Sequence, residues 1–229
     1  PGQTYLITRR CAQRMLMLTP SHVVNAVFQY ALALSAERHG FLIHAVQVNS
    51  NHYHLIATDV RGTRPAFLHD LHQLVARALN RHYKRGENFW AAKRASFVSI
   101  HDRETLIANL LYVWNNVVKD GLVKTAEAWP GISSLPEDLV NRPRSVFFGG
   151  RLPRFLKMSA AQRVLNKLPD LPSSLPDSAK LSYSLPELLA EEDQEAVVSE
   201  LRQRLNSQAE SIQDKRLAAR KTFKGPQAV

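Results

Sequence analysis

The period of the apolar positions changes several times along the chain. Thr4-Tyr5-Leu6-Ile7-Thr8 is short, β-branched and apolar, which predicts a strand. After Thr19-Pro20-Ser21, Val23, Val24, Val27, Phe28, Ala31, Leu32 and Leu34 recur at helical spacing up to Glu37, and Gly40 ends the helix. Residues 41–48 and 52–58 read as two strands joined at Asn49-Ser50-Asn51, whose small polar side chains bond to nearby backbone and favour a turn. Helical spacing returns over residues 66–84 with Phe67, Leu68, Leu71, Leu74, Val75, Ala78 and Leu79 on one face. Residues 95–100 form a fourth predicted strand. Asp102 then caps a helix carrying Leu106, Ile107, Leu110, Leu111, Val113 and Val117, which ends near Gly121.

The order β-α-β-β-α-β-α predicts an α+β fold: a ferredoxin-like split βαβ antiparallel sheet with one additional helix. This unit spans residues 1–128. Beyond Trp129, Pro130, Pro136, Pro143, Pro153, Pro169, Pro172, Pro176 and Pro186 interrupt any long element, so residues 129–184 read as a proline-rich, irregular connector. Residues 185–229 read as an amphipathic helix, expected over 185–205 with Leu188, Leu189, Val197, Val198, Leu201 and Leu205, and a basic tail holding Lys215, Arg216, Arg220, Lys221 and Lys224.

Composition narrows the partners. Thirty Lys and Arg against twenty Asp and Glu give a formal charge of +10, which favours a polyanion such as nucleic acid or an anionic surface. Cys11 stands alone, so neither an internal disulfide nor a multi-cysteine zinc site is available. No apolar run approaches the ~20 residues of a membrane span, and no signal-peptide pattern is present, so a cytoplasmic protein is expected. Motifs of the zinc hydrolase type and a serine nucleophile elbow are missing.

Two features carry chemistry. In His52-Tyr53-His54 the histidines alternate with Tyr53 along a strand, so both imidazoles point to one face about 7 Å apart. Two neutral imidazoles so placed can chelate one divalent ion, though hydrogen-bonded or surface histidines fit the same pattern. Tyr53, Leu55 and Ala57 point the other way, into a core. Asp70, between His69 and His72, reads as part of a solvated helix face. Farther on, Tyr112 and Asn116 are four residues apart and share a helix face. A phenol and a carboxamide can then reach the same phosphate, although a core tyrosine beside a surface asparagine has the same spacing.

The segment Val46-Gln47-Val48-Asn49-Ser50-Asn51-His52-Tyr53-His54-Leu55-Ile56 resembles the HUH signature of the REP-associated tyrosine transposases, with Asn49 where a methionine is usual. Tyr112-Val113-Trp114-Asn115-Asn116-Val117-Val118-Lys119-Asp120-Gly121-Leu122-Val123 is similar to the tyrosine helix of that family, with Val117 in place of proline, Lys119 of arginine and Asp120 of alanine. Residues 74–90 resemble the family's alanine-rich helix and the Phe-Trp pair after it. The likeness spans about residues 4–124.

The resemblance implies a metal-dependent nickase and strand transferase acting on single-stranded DNA near an imperfect hairpin. Tyr112 would be the nucleophile, forming a 5′-phosphotyrosine link. His52, His54 and Asn116 would hold Mg²⁺ or Mn²⁺. Arg9, Arg10, Arg14, Arg77, Arg81, Lys84, Arg85, Lys93, Arg94, Lys215, Arg216, Arg220 and Lys221 are candidate phosphate contacts, and Trp90 or Phe89 a candidate base-stacking platform. Either a monomer or a homodimer suits this chemistry. The competing readings are a catalytically silent hairpin-binding protein that keeps the fold, and a basic RNA-binding or structural domain.

Overall fold

The computed structural model describes residues 1–141, 143–147 and 175–225. Eight residues, Gln3–Arg10, form β1; His22–His39 form α1; Phe41–Val48 and His52–Asp59 form β2 and β3; Arg64–His82 form α2; and Ser96–Ile100 form β4. These make one antiparallel sheet in the order β2-β3-β1-β4. That order, with α1 and α2 as crossovers, is the split βαβ arrangement expected from the sequence.

Local chemistry sets the element ends. The Ser21 side chain accepts from the Val24 amide at the start of α1, and Gly40 ends it in the left-handed conformation that a residue without Cβ adopts most cheaply. The Asp59 carboxylate accepts from the amides of Thr63 and Arg64, closing the first turn of α2. Asp70 is not solvated as expected. It joins α1 to α2 through Arg38 (2.8 Å) and His39 (2.9 Å), and these bonds hold its carboxyl below the usual range against the opposing effect of burial.

Strand alternation divides the interior into two layers. Ile7, Val46, Val48, Tyr53, Leu55 and Ala57 pack against α1 and α2. Ala45, Ile56 and Ile100 point the other way and meet α3, which spans Arg103–Trp114 and is capped by Asp102. Asn115 interrupts the helix, and a single further turn, α4, spans Asn116–Lys119. Gly121 follows at φ 72°.

The C-terminal part differs from the expectation in three ways. The segment read as an irregular connector contributes two strands, β5 (Arg144–Phe147) and β6 (Ser178–Leu181), which pair and pack beside α1. Its first stretch also binds the main sheet: Val48 donates to the Ile132 carbonyl (2.9 Å) and Ser134 to the Val46 carbonyl (2.9 Å). Pro153, Pro169 and Pro172 lie outside the described residues. Second, the helix expected over 185–205 runs over Gln194–Ala218, here α5; residues Glu187–Leu189 form only a short 3-10 turn. Asp193 caps α5 by accepting from the Ala196 amide, and its apolar stripe of Val197, Leu201, Leu205 and Ala209 is buried against α3 and α4. Third, the basic tail begins inside that helix. Lys215 and Arg216 occupy its last turn, Arg216 lies over the Phe223 ring, and the Lys224 amide donates to the Gly121 carbonyl (2.9 Å).

Candidate active site

β3 places His52 and His54 on the sheet face covered by α3. The two rings meet edge to face with centroids 4.9 Å apart, and Tyr112 of α3 lies against His54 at 5.1 Å. Asn116 opens α4 one turn later and is buried. The structure therefore brings all four residues, drawn from two distant stretches of sequence, to one place. Asn115 fastens this segment from behind: its side-chain amide donates to the Leu205 carbonyl (3.1 Å) and to Gln208 (2.8 Å) of α5.

Both histidines lie where burial favours the neutral imidazole. His52 Nδ1 lies 2.6 Å from the Asn51 side-chain oxygen, an acceptor, so Nδ1 carries the proton and Nε2 the lone pair. His54 Nδ1 meets the Thr8 hydroxyl at 2.8 Å, while its buried Nε2 has no hydrogen-bond partner. Burial pushes both imidazoles below their ordinary range; for His54, with help from the nearby His52, Arg10 and Lys119 charges, to about 3. Among the described residues no three His, Cys, Asp or Glu side chains converge as a metal set. The donor atom beside the two imidazoles is instead the side-chain oxygen of Asn116, which accepts from the Asn49 amide. Two imidazole nitrogens, one of them buried and unpartnered, together with an amide oxygen fit a divalent cation.

Asn49 was visible in the sequence as a turn residue and as a departure from a signature. It is buried between His52 and Asn116. Its side-chain nitrogen donates to Asn116 Oδ1, contacts His52 Nε2 at 3.2 Å and lies 3.4 Å from Asp120 Oδ2.

Tyr112 opens onto a cleft of about 470 Å³. Tyr112, Asn115 and Lys119 form one wall and α5 the other, through Gln208, Ser211, Lys215, Arg216 and the following Lys221. The Lys119 ammonium stands 5.2 Å over the Tyr112 ring.

The other candidate contacts separate by face. Arg10 is paired in register with His52 and is exposed beside the site. Arg9 alternates to the opposite face, where its guanidinium holds the carbonyls of Ala91 (3.0 Å) and Lys93 (2.6 Å). Arg77, Arg81, Lys84 and Arg85 belong to α2 or the turn after it, in the layer away from Tyr112. Arg14, Lys93, Arg94 and Arg220 are exposed and do not line the cleft. Phe89 and Trp90 are interior, with Trp90 edge-on to Tyr53 and donating to the His72 carbonyl (2.9 Å). Both rings are largely enclosed, and Trp90 also lines a separate cleft with Ala12, Gln13, Met15 and Arg85.

No family model and no curated protein matches the chain. Among solved structures, one described as the REP-associated tyrosine transposase bound to a REP hairpin is similar at 21% identity and a TM-score of 0.47, over 61% of this chain and 81% of that one. A putative transposase from Deinococcus radiodurans R1 is similar at 16% identity and a TM-score of 0.37, over 48% of this chain and 87% of that one. At these levels the functional reading rests on the site itself.

Proposed function

We propose that the protein is a single-stranded DNA nickase and strand transferase acting at hairpin sequences, with Tyr112 as nucleophile. The observation that carries this reading is the contact between the Tyr112 ring and His54, whose buried Nε2 has no hydrogen-bond partner among the described residues. A phenol beside two imidazoles whose burial favours the neutral form suits attack on a phosphodiester polarised by a cation. His52 Nε2, His54 Nε2 and Asn116 Oδ1 would hold Mg²⁺ or Mn²⁺, which when bound would polarise the scissile phosphate and offset its negative charge.

Lys119, Lys215 and Lys221 line the approach and would hold the flanking phosphates of a single strand. The Tyr112 oxygen attacks phosphorus and gives up its proton; the bond from phosphorus to the 3′ oxygen breaks, and that oxygen leaves as a 3′-hydroxyl. The 5′-phosphate stays esterified to Tyr112. A second 3′-hydroxyl reverses the step on the same or another strand, so the bond energy is retained without a nucleotide cofactor.

One observation favours the second reading, a hairpin-binding protein that does not cut: the Asn49 amide lies among the ligand atoms. The two are separated by incubating the chain with 5′- and 3′-labelled single-stranded hairpin DNAs and Mn²⁺. The wild type forms a covalent adduct with the 5′-phosphate side. Tyr112→Phe forms none and binds the hairpin within a few-fold of wild type. An adduct from Tyr112→Phe refutes the nucleophile assignment, and binding with no adduct from the wild type favours the silent protein.

A further inference from the structure

A second cavity, of about 680 Å³, opens on the face of the sheet away from Tyr112, between the start of α2 and the edge strand β4. Phe97 pairs in register with Ile7 and so shares the face covered by α1 and α2, yet it is 47% exposed. The Arg64 guanidinium lies over its ring at 4.0 Å and over the Tyr5 ring at 4.5 Å. Arg94 lies on the same cavity and is exposed. The segment that carries it is fixed by Arg9, which holds the carbonyls of Ala91 (3.0 Å) and Lys93 (2.6 Å). Among the described residues, no hydrogen bond or ion pair engages the guanidinium of Arg64 or Arg94. The lining holds His69 and these three arginines but no carboxylate. The two acids nearest Arg64 in sequence are committed elsewhere: Asp59 accepts from the Thr63 and Arg64 amides, and Asp70 pairs with Arg38, His39 and His69.

We propose that this cavity is a second phosphate-binding site, which holds the backbone of the hairpin stem while the cleft beside Tyr112 holds the single strand. The inference rests on the reading of the chain as a hairpin-acting protein and deepens it. Guanidinium groups that share a cavity with no counter-charge repel each other until an anion meets them. A guanidinium is a planar fork that matches two phosphate oxygens. Stacking on Phe97 and Tyr5 covers the flat faces of Arg64, leaves its N–H edges for a ligand and fixes the side chain beforehand, so less conformational freedom is lost on binding. The same stacking points to paired DNA. Arg64 covers the exposed ring on which an unpaired base would stack, so the site offers contacts to phosphate and no platform for a base. Placement joins the two sites. Arg9 and Arg10 are consecutive on β1 and alternate between its faces, Arg10 beside the active site and Arg9 on this cavity, so cations continue from one face of the sheet to the other.

Fluorescence anisotropy of the full chain with a blunt DNA hairpin, which has no single-stranded flank, tests the site without turnover. Arg64→Gln/Arg94→Gln removes both charges and keeps a polar stem at each position. It raises Kd for the blunt hairpin about tenfold, on the order of one charge-assisted hydrogen bond. It also flattens the slope of log K against log salt by about 1.8, since each duplex phosphate contact contributes about 0.9. If the double variant does not fold, Arg94→Gln, at an exposed side chain, flattens the slope by about 0.9. Wild-type affinity and slope in the variant overturn the site. An equal loss on an unstructured single strand of the same length overturns its assignment to the stem. A loss of hairpin binding in the variant, from a wild type that forms no adduct at Tyr112, supports the site while refuting cleavage, so the two readings fail separately. A wild type that binds no hairpin overturns both.

Discussion

If the cleft beside Tyr112 is the path of a single strand, its lysines set the salt dependence of binding. Lys215 and Lys221 line the wall formed by α5 and the chain after it, and both are exposed, so replacing them with alanine removes charge without opening the core. Each phosphate contact on a single strand contributes about 0.7 to the slope of log K against log salt, so the Lys215→Ala/Lys221→Ala variant flattens the slope by about 1.4. Between about 50 and about 200 mM salt, the wild type therefore loses roughly sevenfold more affinity than the variant. Fluorescence anisotropy of a labelled hairpin with a single-stranded flank measures both slopes. Arg81→Ala and Lys84→Ala provide the control, since both residues are exposed in the layer away from Tyr112. If the double lysine variant keeps the wild-type slope, or the control flattens it equally, the strand does not run through this cleft.

Leu201→Ala destabilises the whole protein by about 2–5 kcal/mol in urea unfolding, because Leu201 is 1% exposed against α3 and a cavity remains. A second, independent unfolding transition would show that α5 is not part of the core. Burial lowers His44 to about 4 and His72 to about 3, so below the ordinary histidine pKa the unfolded chain takes protons that the folded one refuses. Stability therefore falls as pH drops from about 6.5 toward 4, by about 1.4 kcal/mol per pH unit for each histidine; urea midpoints that stay level over this window contradict it. A chelator abolishes cleavage and leaves the melting temperature within a degree or two (on the order of the shift from a few tenths of a kcal/mol), because the two hydrophobic layers close without the ion. A sharp fall in melting temperature would make the ion structural.

The first six elements were legible because each has one clear period and a chemical stop, such as Ser21 and Gly40 around α1. The C-terminal helix was misplaced because Leu185, Leu188 and Leu189 extended the apolar count backwards, while beyond Leu205 its true continuation buries Ala209 alone and so carries little apolar periodicity. The pairing of β5 with β6 joins strands about thirty residues apart in sequence, with no tight turn to announce it. The packing of Trp90 was hidden for a related reason: an aromatic beside cations has the same local sequence whether it stands in solvent or, as here, packs on Tyr53 and His72.

The site shows where reading by motif stops. Spacing predicted that His52 and His54 share a strand face and that Tyr112 and Asn116 lie a helical turn apart, while the roles expected of them came from the resemblance alone. Asn49 and Asp120 lie 71 residues apart, and each alone only weakened a match to a signature. Their contact arises because the turn after β2 and the end of α4 are brought together over the same face of the sheet. Two departures that are isolated in the sequence thus meet in the fold, where the Asn49 amide stands as a donor 3.4 Å from the Asp120 carboxylate.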